Sequence, residues 1–297
     1  FNNLVNHERL VYTKHIGAHK KGNTMNNKAL LIFASVLLLF PTLTWSKGGI
    51  IQFSKPQSLG DGEIRVFGTV IGRYPVSVGI LFDGGVFSNA PTTESDGKWD
   101  ILDAAGNVTW YCCGHELDFD VPDNVRRATA FEHIVVNWNP QGHPPPTGIY
   151  RPPHFDFHFY TISREERYAI EAPTAEEMCA VDIPLSCENF DLAMQPLPAD
   201  MMPPQHTSVG AVEPAMGNHL LDLSSPEFNG ELFTHTWIFG TWKGALSFWE
   251  PMITQDFLLS APNAYYDVTL PAAAPEAGFY PSKYGIFYLQ QPDLYMV

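Results

Sequence analysis

The stretch His154-Phe155-Asp156-Phe157-His158-Phe159-Tyr160 alternates polar and aromatic side chains with a period of two. Successive side chains of a β-strand point to opposite faces of the sheet, so this period predicts a strand. The phenylalanines then share one face, which anchors the strand in a hydrophobic core, while His154, Asp156 and His158 share the other. Imidazoles and carboxylates bind transition metals or transfer protons, so the strand indicates a type of site without naming a reaction.

The spacing along this strand limits which of its polar residues can meet at one ion. Alternate residues lie about 6.6 Å apart and the two histidines about 13 Å apart, at a rise of ~3.3 Å per residue. Metal–nitrogen bonds are roughly 2.1 Å long, so neighbours can converge on an ion, whereas His154 and His158 converge only if the strand bends sharply. We therefore expect two ligands from this strand, with the third polar residue orienting a ligand or acting as acid or base. The alternatives are a buried polar network without an ion and an exposed strand face.

Two histidines outside the strand are expected to complete such a site. His143 precedes the proline run Pro144-Pro145-Pro146, and a hairpin-like return of the chain would bring it to His154. His219 lies in Met216-Gly217-Asn218-His219, a short glycine-containing turn of the kind that presents side chains from loops. Each could equally be an ordinary loop histidine.

A carboxylate is expected from a predicted hairpin over residues 232–250. Glu250 ends its second strand, on the face that the period of two also assigns to Phe248 and Leu246. A carboxylate there must be paired, metal-bound, protonated or at a rim in water. His133 is a further candidate ligand from a neighbouring apolar stretch.

The chain beyond residue 46 is rich in proline, glycine and aromatic residues and poor in long helical periodicity. A capping-box sequence, Ser163-Arg164-Glu165-Glu166, predicts one short helix, and a proline-rich excursion covers 171–215. The pattern predicts an α+β, predominantly β fold, an antiparallel barrel or sandwich with a few short helices, in a single domain over 47–297. Further strands are predicted at 49–53, 63–71, 76–82, 131–138 and in a last hairpin within 279–295.

The segment 25–46 has the pattern of a secretory signal peptide. Lys28 gives a positive start, Ala29–Phe40 is apolar, and Thr44-Trp45-Ser46 offers small residues at a cleavage site. The apolar run is shorter than the about 20 residues that a membrane span needs. We therefore interpret 1–24 as upstream sequence and expect a secreted or periplasmic protein without membrane attachment after cleavage. A retained membrane anchor is the alternative.

The chain is acidic, with a formal net charge of −15 at pH 7. Five of its 17 basic residues but only one of its 32 acidic residues precede residue 47, so the expected mature segment is more acidic still. Such a charge lacks the electrostatic footprint of a protein that binds nucleic acid or anionic lipid. Among partners, a small-molecule ligand stays open.

Four cysteines are present, and outside the cytoplasm an even number suggests disulfides. Cys179 and Cys187 could close a small loop, or each could bridge to the vicinal pair Cys112 and Cys113. A thiolate metal site is the alternative, although no C-x-x-C spacing is present.

Four motifs together resemble a family of exported bacterial proteins with a domain of unknown function, named after an uncharacterised Thermus protein. The resemblance covers about residues 60–295; it extends to Arg167, while the 100–120 region and Asn218 depart from the family pattern. It implies a β-rich fold, a metal-type site formed from the His, Asp and Glu residues of the motifs, and self-association, but no reaction. The motifs are Trp138-Asn139-Pro140-Gln141-Gly142-His143-Pro144-Pro145, Pro153-His154-Phe155-Asp156-Phe157-His158-Phe159-Tyr160, Met216-Gly217-Asn218-His219 and Glu250-Pro251-Met252-Ile253-Thr254.

Two functions fit these observations. One is a metal-dependent enzyme acting on a small molecule, with Zn, Fe(II) or Mn held by histidines and a carboxylate. The other is a non-enzymatic binding or self-assembling module in which the same residues form a structural site or a buried polar network. Motifs of serine hydrolases, P-loop proteins, dinucleotide-binding proteins and H-E-x-x-H metalloproteases are absent from the sequence. The expected metal ligands are His143, His154, His158 and His219, and the expected catalytic carboxylates are Asp156 and Glu250.

Overall fold

Short antiparallel strands make up most of the ordered structure. The computed structural model describes residues 45–46, 49–143, 148–171 and 187–297. Its helices are α1 (Asp123–Arg126), α2 (Arg164–Tyr168), α3 (Cys187–Ala193) and α4 (Gln255–Leu259). Its strands are β1 (Trp45–Ser46), β2 (Gly49–Phe53), β3 (Gln57–Leu59), β4 (Gly62–Ile71), β5 (Tyr74–Asp83), β6 (Ile101–Leu102), β7 (Val108–Trp110), β8 (His115–Asp120), β9 (His133–Asn139), β10 (His154–Tyr160), β11 (His206–Glu213), β12 (Gly217–Asp222), β13 (His235–Trp242), β14 (Ala245–Thr254), β15 (Asn263–Asp267), β16 (Lys283–Leu289) and β17 (Leu294–Met296).

Two antiparallel sheets face each other across the largest hydrophobic core. One has the order β1-β2-β4-β5-β17-β16-β15, with β3 paired to β4, and the other has the order β11-β12-β13-β14-β10-β9-β8. Within the described residues neither sheet closes on itself, so the architecture is a sandwich. The predicted α+β, predominantly β fold is confirmed, and the barrel is excluded as its form.

Strand β10 lies near the middle of the second sheet, between β9 and β14. Its phenylalanines point into the core, where Phe82 of the opposite sheet stacks on Phe155 at a centroid distance of 5.8 Å and on Phe157 at 6.5 Å. The aromatic side chains therefore fix both the strand and the face that it turns inward.

The opposite face of the second sheet is also covered. Segments that connect the strands, together with α3, bury it beneath three smaller hydrophobic clusters. Because water is largely excluded on both sides, polar residues on this outer face must find partners within the protein. The clusters are Ile170, Phe190, Ala193, Val212 and Trp242; Tyr150, Leu221, Phe233, Ile238 and Met252; and Val135, Tyr160, Met216 and Phe248.

A β-bulge corrects one prediction about β14. The register of β13 on β14 shifts between Gly240 and Thr241, where the partner changes from Phe248 to Leu246. The additional residue turns Leu246 into the core between the sheets, while Phe248 stays on the outer face. Leu246 therefore does not share a face with Glu250, as strict alternation predicted.

The proline-rich excursion contains regular structure in its described part, since both α3 and β11 lie within 171–215. The predicted helix start is present, because the Ser163 hydroxyl accepts a hydrogen bond from the backbone N–H of Glu166 at 3.1 Å, while the Glu166 carboxylate pairs with Lys243 instead of completing a capping box. The predicted signal segment, apart from the backbone of residues 45–46, and Cys179 lie outside the described residues. No helix in the described ranges has the length and apolar character needed to cross a bilayer.

The inward face of β10 should dominate the stability of the sandwich. Phe157 is fully buried, and Phe157→Ala should lower the free energy of unfolding by about 3–5 kcal/mol through lost burial and an unfilled cavity. Urea denaturation followed by tryptophan fluorescence measures this loss. Leu232→Ala is the control, because Leu232 is 86% exposed and its truncation should change stability by less than about 0.5 kcal/mol. Equal effects of the two variants would contradict the assignment of the core face.

Candidate metal centre

The register of three adjacent strands brings the polar residues of the motifs together. His154 lies opposite Asn139 of β9 and Thr254 of β14, and Asp156 lies opposite Asn137 and Met252. Because Phe159 pairs with Trp249 in the same register, His158 lies across from Glu250. The predicted strand thus presents its polar face toward polar residues on both neighbouring strands.

One cluster contains His143, His154 and Asp156. Nε2 of His143 lies 3.0 Å from Oδ2 of Asp156, and Nε2 of His154 lies 3.2 Å from Oδ1. Asn139 donates a hydrogen bond from Nδ2 to Oδ2 of the same carboxylate at 2.8 Å. The chain returns from His143 to β10 as expected, and the His143 N–H bonds the carbonyl of Tyr150 at 2.8 Å in this return.

A second cluster contains His158, His219 and Glu250. Nε2 of His158 lies 3.3 Å from Oε1 of Glu250, and Nε2 of His219 lies 4.0 Å from Oε2. The structure therefore divides the six predicted residues into two groups of three, and in each the potential ligand atoms lie within 4.8 Å of one another. His154 and His158 belong to different groups, in agreement with the limit that strand spacing imposes.

The tautomers of two histidines prepare them as ligands. Nδ1 of His154 lies 2.7 Å from the carbonyl oxygen of Pro152, and Nδ1 of His219 lies 3.0 Å from that of Ala211. A carbonyl only accepts hydrogen bonds, so both Nδ1 atoms carry a proton, and the Nε2 atom of each ring faces a carboxylate. This is how proteins orient histidines that bind metals through Nε2.

Several nitrogen and oxygen atoms of the clusters that could bind an ion are buried without a hydrogen-bond partner. They include Nε2 of His154, both ring nitrogens of His158, Oδ1 of Asp156 and Oε2 of Glu250. Two ligands that bind one ion at roughly 2.1 Å with angles near 90–110° are separated by about 3.0–3.4 Å. The nitrogen–oxygen distances of 3.0, 3.2 and 3.3 Å match this separation, while the 4.0 Å between His219 and Glu250 exceeds it. The residues therefore fit a divalent transition metal, most closely in the first cluster.

Burial and neighbouring charge set the protonation of the two carboxylates in opposite directions. Burial favours the neutral form of Asp156, but His154 and His143 outweigh it and hold the pKa of Asp156 well below its usual value. Burial raises the pKa of Glu250 well above its usual value, and the negative charge of Asp156 raises it further. Without an ion, the first cluster therefore holds a carboxylate and the second a carboxylic acid.

The pKa values of the histidines are also shifted in opposite directions in the two clusters. Burial lowers the pKa of His158 well below its usual value and lowers that of His219 to about 4. Burial also acts on His143, but Asp156 and Glu213 outweigh it and raise its pKa. Both imidazoles of the second cluster are therefore neutral, and the neutral form is the one that binds metals.

His219 does not lie in a turn, as predicted, but in strand β12, where it pairs with Gly240; the turn is residues 214–216 just before the strand, and backbone geometry and Arg167 fix it. Gly217 has a φ of +90°, and a side chain there would come within 2.5 Å of the Thr241 carbonyl oxygen. The carbonyl of Ala215 accepts hydrogen bonds from Arg167 Nε at 2.9 Å and from the Tyr160 hydroxyl at 3.2 Å. Arg167 itself is fully buried, and it forms an ion pair with Glu116.

A glycine makes room for the aromatic side chain between the histidines of the second cluster. A Cβ atom on Gly240 would lie 1.9 Å from the ring of Phe248. That ring contacts His158 at a centroid distance of 4.9 Å and His219 at 5.2 Å. The missing side chain at Gly240 therefore helps to set the positions of both imidazoles.

Two asparagines and a glutamate lie in or beside the clusters without having been predicted. Asn139 lies just beyond the predicted strand 131–138, yet it ends β9 and bonds Asp156, and Asn137 on the same strand face donates to the carbonyl of Cys113 at 2.7 Å. Their period of two along β9 is the signal that could have identified them. Glu213 lies near His143; burial raises its pKa to about 7, although His143 and Trp110 act in the opposite direction. No sequence signal marks Glu213.

The other histidines of the described residues lie outside both clusters. His133 stacks on Tyr160 with ring centroids 4.7 Å apart, and His235 packs against aromatic rings with Nδ1 2.7 Å from the Tyr284 hydroxyl.

Comparison with protein-family models, curated proteins and solved structures found no match to this chain. Its relation to the Thermus-named family stays a prediction from the motifs.

The free energy of unfolding of the metal-free protein should fall as the pH drops below about 6.5, the ordinary pKa of histidine. Burial lowers the pKa of His133 to about 3, so between pH 6.5 and 3 the unfolded chain binds a proton that the folded state does not. His133→Phe keeps an aromatic ring for the stack on Tyr160 and removes the group that binds this proton in the unfolded chain. Between pH 7 and pH 5 the variant should lose less unfolding free energy than the wild type, by up to about 2 kcal/mol.

Urea denaturation at the two pH values, in the presence of a chelator, tests this effect. His115→Phe, which replaces a histidine that bonds Thr93 at the surface, supplies the baseline for removing a histidine. An identical pH dependence of wild type and His133→Phe would show that His133 does not contribute.

Proposed function

We propose that this protein binds two divalent transition-metal ions on the outer face of its second sheet and is a metal-dependent enzyme acting on a small molecule. One observation carries the proposal. Possible ligand atoms of six residues lie close together in two groups of three, and several of these atoms are buried without a hydrogen-bond partner. In a polar network without an ion, such atoms would be costly, because buried polar groups normally have partners.

The ligand sets favour a reactive ion over a purely structural one. Each cluster offers two histidines and one carboxylate, a combination that suits Zn, Fe(II) or Mn. Structural zinc sites usually have four protein ligands, whereas catalytic sites have three and keep a position for water or substrate. Such an ion supplies a Lewis acid and a bound water of lowered pKa.

The residues of the chain have distinct roles in this proposal. Asp156 and Glu250 serve as the anionic ligand of the first and the second ion, and Asn139 orients Asp156 through its hydrogen bond. Access is supported on the side of His143, whose side chain is 35% exposed, whereas His158 is fully buried. A small molecule would therefore reach the first ion more readily than the second.

A second candidate function is a non-enzymatic binding module in which the ions or the polar network support the fold. The observation in its favour is the burial of the second cluster, where His158 is 0% and Glu250 1% exposed. In either case, the export suggested by residues 25–46 is part of the proposal.

Metal content should separate the two clusters. Wild-type protein, purified without a chelator or a histidine tag and supplied with Mn²⁺, should bind about two ions per chain, one in each histidine cluster. Asp156→Asn and Glu250→Gln change only the anionic ligand, and each should lose about one ion. Inductively coupled plasma mass spectrometry after gel filtration gives the stoichiometry.

Glu227→Gln is the matched control, because Glu227 is a buried carboxylate outside both clusters that accepts a hydrogen bond from Tyr150. It should keep both ions. Well-folded wild type that binds no ion after add-back would leave only a polar network and reject the proposal.

Turnover should depend on the same residues. Chromogenic carboxylate esters and phosphate esters serve as general probes of metal-assisted hydrolysis. Any activity should disappear with a chelator, return with the metal, and fall by more than about tenfold in Asp156→Asn while Glu227→Gln keeps it. Full metal loading without turnover of any probe would favour the binding module.

A further inference from the structure

A third group of metal-binding side chains lies beside the two histidine clusters. The ligand atoms of Cys112, Cys113 and Glu213 lie within 4.8 Å of one another. Cys112 is almost completely buried, and the carboxylate of Glu213 accepts a hydrogen bond from Trp110 Nε1 at 3.2 Å. Two sulfurs and a carboxylate differ in chemistry from the two-histidine-one-carboxylate sets, because thiolates prefer soft ions.

The vicinal cysteines are held in place from both sides. The backbone N–H of Cys112 donates to Asp100 Oδ1 at 3.0 Å, and the carbonyl of Cys113 accepts from Asn137 Nδ2 at 2.7 Å. Cys113 has a φ of +71°, in the left-handed region that residues with a side chain rarely adopt. Unusual backbone conformations of this kind persist where the surrounding structure enforces them, commonly at functional sites.

The group is connected to both histidine clusters. Asn137, which holds Cys113, lies opposite Asp156 in the register of β9 on β10. Glu213 ends β11, pairs with Gly217, and is followed by the turn that leads to His219. The group therefore lies beside both clusters along neighbouring strands.

We propose that Cys112, Cys113 and Glu213 form a third metal site, specific for a thiophilic ion such as Zn²⁺, Cd²⁺ or Cu⁺, which is available when the two cysteines are reduced. Thiolates bind metals and a disulfide does not, so the dithiol state of the pair can hold the ion and a disulfide state cannot.

The conversion between these states requires a reductant. A dithiol reductant transfers two electrons to the disulfide, the S–S bond breaks, and the reductant leaves as its own disulfide. The two thiols formed then release their protons as two metal–sulfur bonds form, and the Glu213 carboxylate supplies the third ligand. The site is independent of the proposed histidine sites, since it shares no ligand with them.

Cadmium titration of the full chain tests this proposal. The protein is reduced with a phosphine, which is removed under anaerobic conditions, and Cd²⁺ is added while thiolate-to-cadmium charge transfer is followed in the ultraviolet. Reduced wild type should develop this absorption to a plateau that corresponds to one thiolate-bound Cd²⁺ per chain, whatever the histidine clusters take up, and oxidised protein should not. Histidine and carboxylate ligands do not produce the band, so the readout is specific for the cysteines.

Variants assign the ligands. Cys112→Ser and Cys113→Ser should abolish the band, and Glu213→Gln should weaken cadmium binding by more than about tenfold. Cys187→Ser is the matched control and should leave the titration unchanged. The double variant Asp156→Asn/Glu250→Gln should keep the band even if it loses both ions of the histidine clusters, which separates this test from that of the proposed function.

The opposite results would overturn the proposal. A band that survives in Cys112→Ser or Cys113→Ser, that disappears in Cys187→Ser, or that is absent from reduced wild type would exclude the site. Unchanged affinity in Glu213→Gln would remove the carboxylate from it, and a band in the oxidised protein would exclude the redox dependence. Near-ultraviolet circular dichroism confirms that each variant is folded, and protection of Cys113 from alkylation by bound Cd²⁺ in wild type provides a measurement without substitution.

Discussion

The alternation of side chains along β10 is the constraint on which the rest of the structure depends. A strand in the middle of a sandwich must bury one face between the sheets, and the phenylalanines of β10 fill that position against Phe82. This fixes the histidines and Asp156 on the outer face. Because that face is itself covered, its charges are removed from water and their energies depend on neighbouring groups within the protein.

Desolvation explains why so many polar groups meet on this face. A single buried carboxylate or imidazolium would be strongly unfavourable, but a carboxylate between imidazoles is stabilised by charge and hydrogen bonds. Asp156 has such partners in His143 and His154. Glu250 stays protonated because burial and the negative charge of Asp156 both raise its pKa, although His158 lies 3.3 Å away. A divalent ion would compensate both clusters more completely than protons do, because it satisfies nitrogen lone pairs and carboxylate oxygens at once.

The segments that cover the sheet contribute as much to the site as the strands do. Three of them carry possible ligands or precede a strand that does: the segment that ends at His143, the turn before His219 and the cysteine segment beside Asn137. Hydrogen bonds from Asn139, Asn137 and Arg167 connect these segments to the sheet. The polar side chains of the outer face are thus held both by the strands and by the segments that cover them, an arrangement that keeps ligands in fixed geometry.

The sequence by itself determined the β-rich class, the strand β10 with its two faces, and the identities of the six residues in the histidine clusters, because a period of two and the chemistry of side chains are local properties. Only the tertiary structure decided that the sheets form a sandwich, that the six residues divide into two groups, and that Asn139 and Glu213 belong beside them. Register between distant strands sets these proximities, and no local pattern encodes it. The bulge that separates Leu246 from Glu250 shows the same limit, since one additional residue in a strand reverses the face that alternation assigns.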